Sequence, residues 1–174
     1  MAVGNLEFIK SASATSTTSI SVTDCFTSDY DVYAITMNNL SGSSGSPSQV
    51  SLRFIDNTDT PIATAQYDTA VLQMKSDAAF SEIRNTNQTD SELFGYADLT
   101  PESSQSVLYV FNPTDTSSYT FFTVQNSSAV SAVMWGHKGI GVLTETTEVT
   151  GIQFLAHSFN FDSGKISVYG LASN

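Results

Sequence analysis

Histidine is the side chain best suited to shuttle protons near neutrality, and this chain has two, His137 in WGHKGIG and His157 in LAHSFN. A Ser-His-Asp triad needs one of them beside a nucleophilic serine. With 27 Ser in 174 residues a serine is always at hand, so that pairing carries no information. The G-x-S-x-G elbow that exposes a nucleophilic serine does not occur, and HKGIG lacks the G-x-x-x-x-G-K-[ST] spacing of a phosphate-binding loop. Both histidines therefore read as structural or surface residues, and Gly139 and Gly141 as marks of a bulge or turn between strands. The 17 acidic residues offer many carboxylate pairs for glycoside hydrolysis, yet none falls in a local signature. Asp24, Asp29 and Asp31 cluster in TDCFTSDYD, and Asp56 and Asp59 flank a tight loop. Such oxygens would suit calcium, but no EF-hand pattern is present and Asp is what turns prefer. Turn capping is the expectation. The lone Cys25 excludes an internal disulfide and a Cys-based zinc site, and reads as a small buried apolar residue. No catalytic, cofactor-binding or metal-ligating residue stands out, and the expectation is a non-enzymatic protein without a cofactor.

The elements that would position these residues are strands. TSISVTDCF sets Ile20 and Val22 against Ser19, Ser21 and Thr23; QVSLRFI sets Val50, Leu52 and Phe54 against Ser51 and Arg53; KISVYG sets Ile166 and Val168 against Lys165 and Ser167. This is the period of a half-buried strand. DVYAITM at 31–37, SVLYVF at 106–111 and YTFFTV at 119–124 are apolar on both faces. They read as central strands covered on both sides, or as strands that meet a neighbouring subunit. SGSSGSPS at 41–48, DNTDTP at 56–61 and NPTDTSS at 112–118 supply turn chemistry. Candidate strands lie near 4–9, 18–26, 31–37, 49–55, 62–67, 106–112, 119–125, 131–136, 149–155 and 165–171. SDAAFSEIR at 76–84 alone has a helical character, and it is too short to stand unsupported. The pattern predicts an all-β chain, with residues 1–174 forming a single antiparallel β-sandwich of jelly-roll type.

Composition narrows the partners. Six basic against 17 acidic residues give a net charge of −11, and no two of Lys10, Arg53, Lys75, Arg84, Lys138 and Lys165 are close in sequence. Nucleic acid and anionic membrane surfaces need a basic stripe, so neither is an expected partner. No apolar run is long enough to span a bilayer, and MAVGNLEFIKSAS does not read as a secretory signal. Ser and Thr total 48 residues, which replaces charge by hydroxyls on the exposed faces. Such surfaces suit close contact between subunits, because these side chains lose little entropy when immobilised. Trp135 and the tyrosines offer rings for sugar stacking, although Trp135 alternates with Val133 as a core residue would.

Three segments carry a resemblance. EFIKSASATSTTSISVTDCFTSDYDVYAITMNNLSG, with Cys25-Phe26-Thr27-Ser28, Tyr30-Asp31 and Tyr33, resembles the opening of small β-rich virion proteins of tailed bacteriophages, especially those of marine bacteria. VSLRFIDNTDTPIATAQY is similar to the strand-turn-strand that follows there. VTGIQFLAHSFNFDSGKISVYGLASN, with Ile152, Phe154, Ser163-Gly164, Ile166 and Tyr169-Gly170, resembles their closing hairpin. The likeness runs in order along nearly the whole chain and is weakest over 75–105. It implies a structural component of the particle, a capsid decoration or a tail appendage, made in the host cytoplasm and carried in the virion. The expected partners are copies of the chain itself, a trimer being favoured, together with other capsid or tail proteins. The alternative is a receptor-binding adhesin module of a phage fibre, gripping a host glycan or surface protein through loops such as 41–48 or 84–92. Phe159 and Phe161 depart from the small closing turn of that group and mark either a subunit contact or packing. Trp135, Phe159, Phe161 and Tyr169 are the candidate assembly or ligand contacts. Tyr169 is expected inside, so that Tyr169→Asp should abolish folding or assembly.

Overall fold

Period-2 burial organises the chain, and the computed structural model describes it over residues 6–43, 48–92, 95–99 and 101–172. Among these residues the strands are β1 (Leu6–Ser13), β2 (Ser19–Val22), β3 (Val32–Gly42), β4 (Ser48–Asp56), β5 (Tyr67–Lys75), β6 (Ser81–Gln88), β7 (Tyr96–Ala97), β8 (Ser104–Phe111), β9 (Thr120–Val130), β10 (Val133–Leu143), β11 (Val149–Ala156) and β12 (Phe161–Leu171). They form an eight-stranded sheet in the order β1-β12-β3-β8-β9-β10-β5-β6 and a four-stranded sheet in the order β2-β11-β4-β7. All strand pairs are antiparallel.

The expected sandwich is present, and its topology is that of a jelly roll. Setting aside the hairpins β5–β6 and β9–β10 leaves eight strands, of which the first pairs with the last, the second with the seventh, the third with the sixth and the fourth with the fifth. That nested pairing is a long hairpin rolled onto itself into two sheets. The two extra hairpins add β9, β10, β5 and β6 to one sheet only, so that sheet is twice as wide as its partner.

Inward-facing residues of both sheets form the core. Phe54 of β4 lies 6.3 Å from Tyr67 and 5.7 Å from Phe122, bridging narrow and wide sheets. The Tyr67 hydroxyl, buried between them, accepts from Phe54 N at 2.9 Å and donates to Ile62 O at 3.0 Å, so its polarity is satisfied. Cys25 is buried as expected. Burial pushes its thiol up to about 12, and Sγ donates to Val22 O.

Four local expectations need correction. Residues 76–84 form no helix: the chain turns at 76–80 and enters β6. Residues 62–67 are not a strand; Pro61 makes one bridge to Ile55, and the strand begins at Tyr67. The segment 131–136 begins with a two-residue turn, Ser131 and Ala132, both at positive φ as a tight hairpin demands. The Glu102 carboxylate accepts from both turn amides, at 2.9 and 2.6 Å. Lastly, Gly139 and Gly141 mark neither bulge nor turn but sit in unbroken register within β10. A Cβ at Gly141 would lie 2.1 Å from the Phe122 ring, and one at Gly139 would lie 2.3 Å from Val71 Cγ2. Their missing side chains admit large neighbours into the core.

Candidate functional site

The outer faces of the two sheets differ in chemistry. On the narrow sheet one rung reads Arg53, Gln153, Ser21, a polar row in which Gln153 donates to Ser21 Oγ at 3.0 Å. On the wide sheet one rung crosses all eight strands: Phe8, Tyr169, Ala34, Tyr109, Thr123, Ile140, Ala70, Arg84. The next reads Ser11, Ser167, Thr36, Val107, Gln125, Lys138, Leu72, Glu82. Leu6, Leu171, Phe111 and Phe121 extend the apolar surface toward one end. Ile140 is 62% exposed, Phe8 60% and Phe121 53%, and Leu6, Leu72, Val107, Tyr109 and Leu171 are exposed as well. At about 150–250 Å² for a large side chain, these eight residues show roughly 800 Å² to solvent. Exposed apolar area of that size on one face, interrupted by Gln125, Lys138 and Glu82, is on the scale of an interaction site.

Small floor residues (Thr36, Ala70, Thr123) leave this face troughed. One end, of about 830 Å³, is bordered by Asn38, Gln105, Gln125, Lys138, Glu82 and Arg84 beside Tyr109 and Val107. The other, of about 460 Å³, is nearly all apolar, with Phe111, Phe121 and Val142 on its walls and Asp68 at its rim. The trough carries two carboxylates, Glu82 and Asp68. Glu82 is paired with Arg84 at 2.7 Å, and Asp68 accepts from Asn87 N at 2.8 Å. Leu72 is opposite Glu82 and four residues from Asp68 along β5, so the two acids are roughly 13 Å apart along the strand. That separation exceeds the roughly 5–10 Å of glycoside-cleaving pairs.

Serine, histidine and aspartate do meet elsewhere. Ser51 Oγ bonds His157 Nε2, and Asp90 Oδ1 is 3.7 Å from that same nitrogen. A triad needs the carboxylate on Nδ1 and the serine on Nε2; here both address one nitrogen, and Ser51 is fully buried. Asp90 also pairs with Arg53 at 3.3 Å, and Arg53 Nε donates to Thr89 O. The cluster ties residues 89–92 to the narrow sheet, where Leu52 and Ser91 form a bridge.

His137 lies at the centre of a buried neutral network. Its Nε2 is 3.1 Å from Gln73 Nε2 and its Nδ1 3.3 Å from Asn126 Oδ1, while Asn126 Nδ2 donates to Ser104 and Ser106, each at 2.8 Å. Burial, then the Lys75 charge, pushes His137 down to about 4. Trp135 is half-buried nearby: Lys75 Nζ lies 3.7 Å above its ring, and Tyr96 packs edge-on at 4.9 Å. Lys75 and Tyr96 thus occupy part of the ring surface that a sugar would stack on. Phe159 and Phe161 are buried in the core, 5.5 Å apart and edge-to-face, so they pack and do not reach a surface. Tyr169 faces outward, half-buried against Phe8 at 5.8 Å, contrary to the expectation that it lies inside. The alternation of Ile166 and Val168 with Ser167 already assigned it to that side.

Among the described residues no group of three His, Cys, Asp or Glu could hold a metal ion. Asp56 caps its turn, accepting from Thr58 N at 2.8 Å and Thr60 N at 3.0 Å, and the Thr58 hydroxyl and amide hold its carboxyl below the usual range. Residues 44–47 of the loop offered as a receptor grip lie outside the described residues. The segment 84–92 completes β6 and then runs beside β4. No protein-family model matches the chain, and no curated protein is significantly similar to it.

Proposed function

We propose that this chain is a non-enzymatic structural subunit of a bacteriophage virion, a capsid-decoration or tail-appendage component. It assembles with copies of itself through the outer face of the wide sheet, as a trimer, and docks on another virion protein. The observation that carries the reading is the uncovered apolar face. Its roughly 800 Å² matches what each partner contributes to a standard stable interface, and each chain leaves it in solvent. The segments 106–111 and 119–124, apolar on both sides, supply much of it. Resemblance of the opening, middle and closing segments to virion proteins supports the setting. The test is the mass of the purified protein in solution, followed by its localisation on intact particles by electron microscopy. An oligomer seen on head or tail is expected. A stable monomer missing from particles would overturn the reading.

A second reading, an adhesin module of a phage fibre, is favoured by the polar end of the trough. There Gln125 and Lys138 make no side-chain hydrogen bond among the described residues and flank the exposed Tyr109 ring. Tyr109→Ala would then abolish adsorption to host cells while leaving the oligomer's mass unchanged.

A further inference from the structure

The wide sheet ends in an apolar knob opposite its apolar hollow. Phe80, 64% exposed, stands at the close of the 76–80 turn, and Met134, 67% exposed, stands at the start of β10. The turn is mounted firmly: Ser76 N donates to Met134 O at 3.0 Å, and Met134 N to Ser76 Oγ at 3.2 Å. Phe111, Phe121 and Val142 line the hollow at the other end of the same strands. Seven residues of β5 separate Asp68 at the hollow from Lys75 at the knob, roughly 24 Å. A projection and a recess at opposite ends of one sheet cannot meet within a chain. They can meet between chains in a head-to-tail contact, which closes into a ring if the rotation allows.

We propose that the 76–80 turn of one copy, led by Phe80 and accompanied by Met134, docks into the apolar hollow lined by Phe111, Phe121 and Val142 on a second copy. The proposal rests on the assembly reading above and names the contact that produces it. Charge supports a second copy as the occupant. Asp77 is exposed in the knob's turn and Arg84 is exposed at the border of the hollow, so the docked turn would bring an acid to a base. The hollow, at about 460 Å³, has room for a phenyl ring and a thioether chain. Most of its exposed lining is carbon, with Asp68, Arg84 and Asn85 at the border. A ring of such contacts uses one knob and one hollow per subunit and leaves none over.

The contact's handedness makes it testable by mixing. Phe80→Asp removes the knob and keeps the hollow; Phe121→Asp does the reverse. Both positions are more than half exposed, so the fold should survive, and Phe80→Ala with Phe121→Ala serve as milder substitutes. Each Asp variant alone should be monomeric by sedimentation, with its self-association weakened at least 100-fold. The two mixed should form 1:1 dimers and no larger species, because only one knob-hollow contact can be made between them. Ser21→Asp on the narrow sheet controls for added charge and should keep the native mass. Either Asp variant retaining that mass, or a mixture that stays monomeric, would overturn the proposal while leaving assembly through another part of the face intact. A wild-type chain monomeric at every concentration would overturn the assembly reading itself. Loss of host adsorption by Phe121→Asp at unchanged mass would assign the hollow to a host ligand instead.

Discussion

His137 gives the fold a pH dependence that can be worked out in advance. In the folded chain it is held neutral, at about 4, by burial and by Lys75, whereas an unfolded histidine titrates near 6.5. Above about pH 6.5 neither state takes the proton, and the full stability is present. As pH falls the unfolded chain binds a proton that the folded chain refuses, so stability drops by about 1.4 kcal/mol per pH unit. The loss reaches about 2 kcal/mol at pH 5 and levels off near 3 kcal/mol below pH 4, where the folded side chain also protonates. For a domain of this size, about 2 kcal/mol is a fall of roughly 4–8 °C in Tm. Thermal unfolding of the wild type and of His137→Gln, each at pH 7.5 and 5, isolates the effect, since every other titrating group is shared. The variant should be less stable at pH 7.5, having a poorer network, and should lose markedly less on acidification. Parallel pH slopes for the two proteins would refute the neutral, water-excluded histidine. The lowered carboxyls of Asp56 and Asp115 act in another window: they stabilise above the usual carboxylate range and lose that contribution only as pH falls through their depressed values.

Phe54→Ala should cost about 3–5 kcal/mol in chemical denaturation, because a fully buried ring against Tyr67 and Phe122 is removed from between the sheets. A cost below about 1 kcal/mol would mean the sheets do not meet there. Gly141→Val should destabilise by about 1–3 kcal/mol through collision with the Phe122 ring; an unchanged denaturation midpoint would contradict the register of β10 against β9. Native Cys25 should resist thiol reagents at pH 8 and react only after unfolding, given its buried and elevated thiol. Labelling at the rate of a free cysteine would show that this core is open.

The fold was legible wherever one face of a strand is buried and the other wet. Val50, Leu52 and Phe54 against Ser51 and Arg53 gave β4 within a residue at each end, and Ile166 with Val168 placed β12. The strands that escaped are β5 and β6, one of the two added hairpins, and the two-residue β7. In β5 the sequence YDTAVLQMK buries Thr69 and Gln73 on the inner side and leaves Leu72 outside, so polarity no longer reports burial. In β6 the sequence SEIRNTNQ lies at a sheet edge, is largely exposed, and has nothing to alternate. The same blurring hid the part of the trough that comes from those strands. The part built from β8 and β9 was visible, because Val107, Tyr109 and Phe121 made their segments apolar on both faces. The Ser51–His157–Asp90 cluster could not be seen at all, since its members are joined only by the pairing of β4 with β11 and with the chain at residue 91.

The unequal widths of the two sheets account for the apolar outer surface carried by the added strands. A jelly roll of eight strands closes its core with four strands on each side, and both outer faces are then free to be polar. Here β9, β10, β5 and β6 extend the wide sheet beyond its partner: Tyr67, Phe122, Val124 and Leu143 on their inner side reach the common core, and the rest of that side has no facing strand to fill it. That remainder is filled by Gln73, Asn126 and His137, which bond one another or neighbouring serines, by Ser128, whose buried hydroxyl has no partner, and by Tyr96, which packs against Trp135. That is weaker cement than hydrocarbon, because a hydrogen bond nets only about 1 kcal/mol once desolvation is counted. Burying the opposite face of the same strands against another chain would supply the missing apolar contact at about 25 cal/mol per Å². The extension and the uncovered apolar residues it carries, Leu72, Phe121 and Ile140, are therefore two sides of one arrangement. Removing the β9–β10 hairpin would leave neither a trough for a neighbour nor a polar interior in need of one.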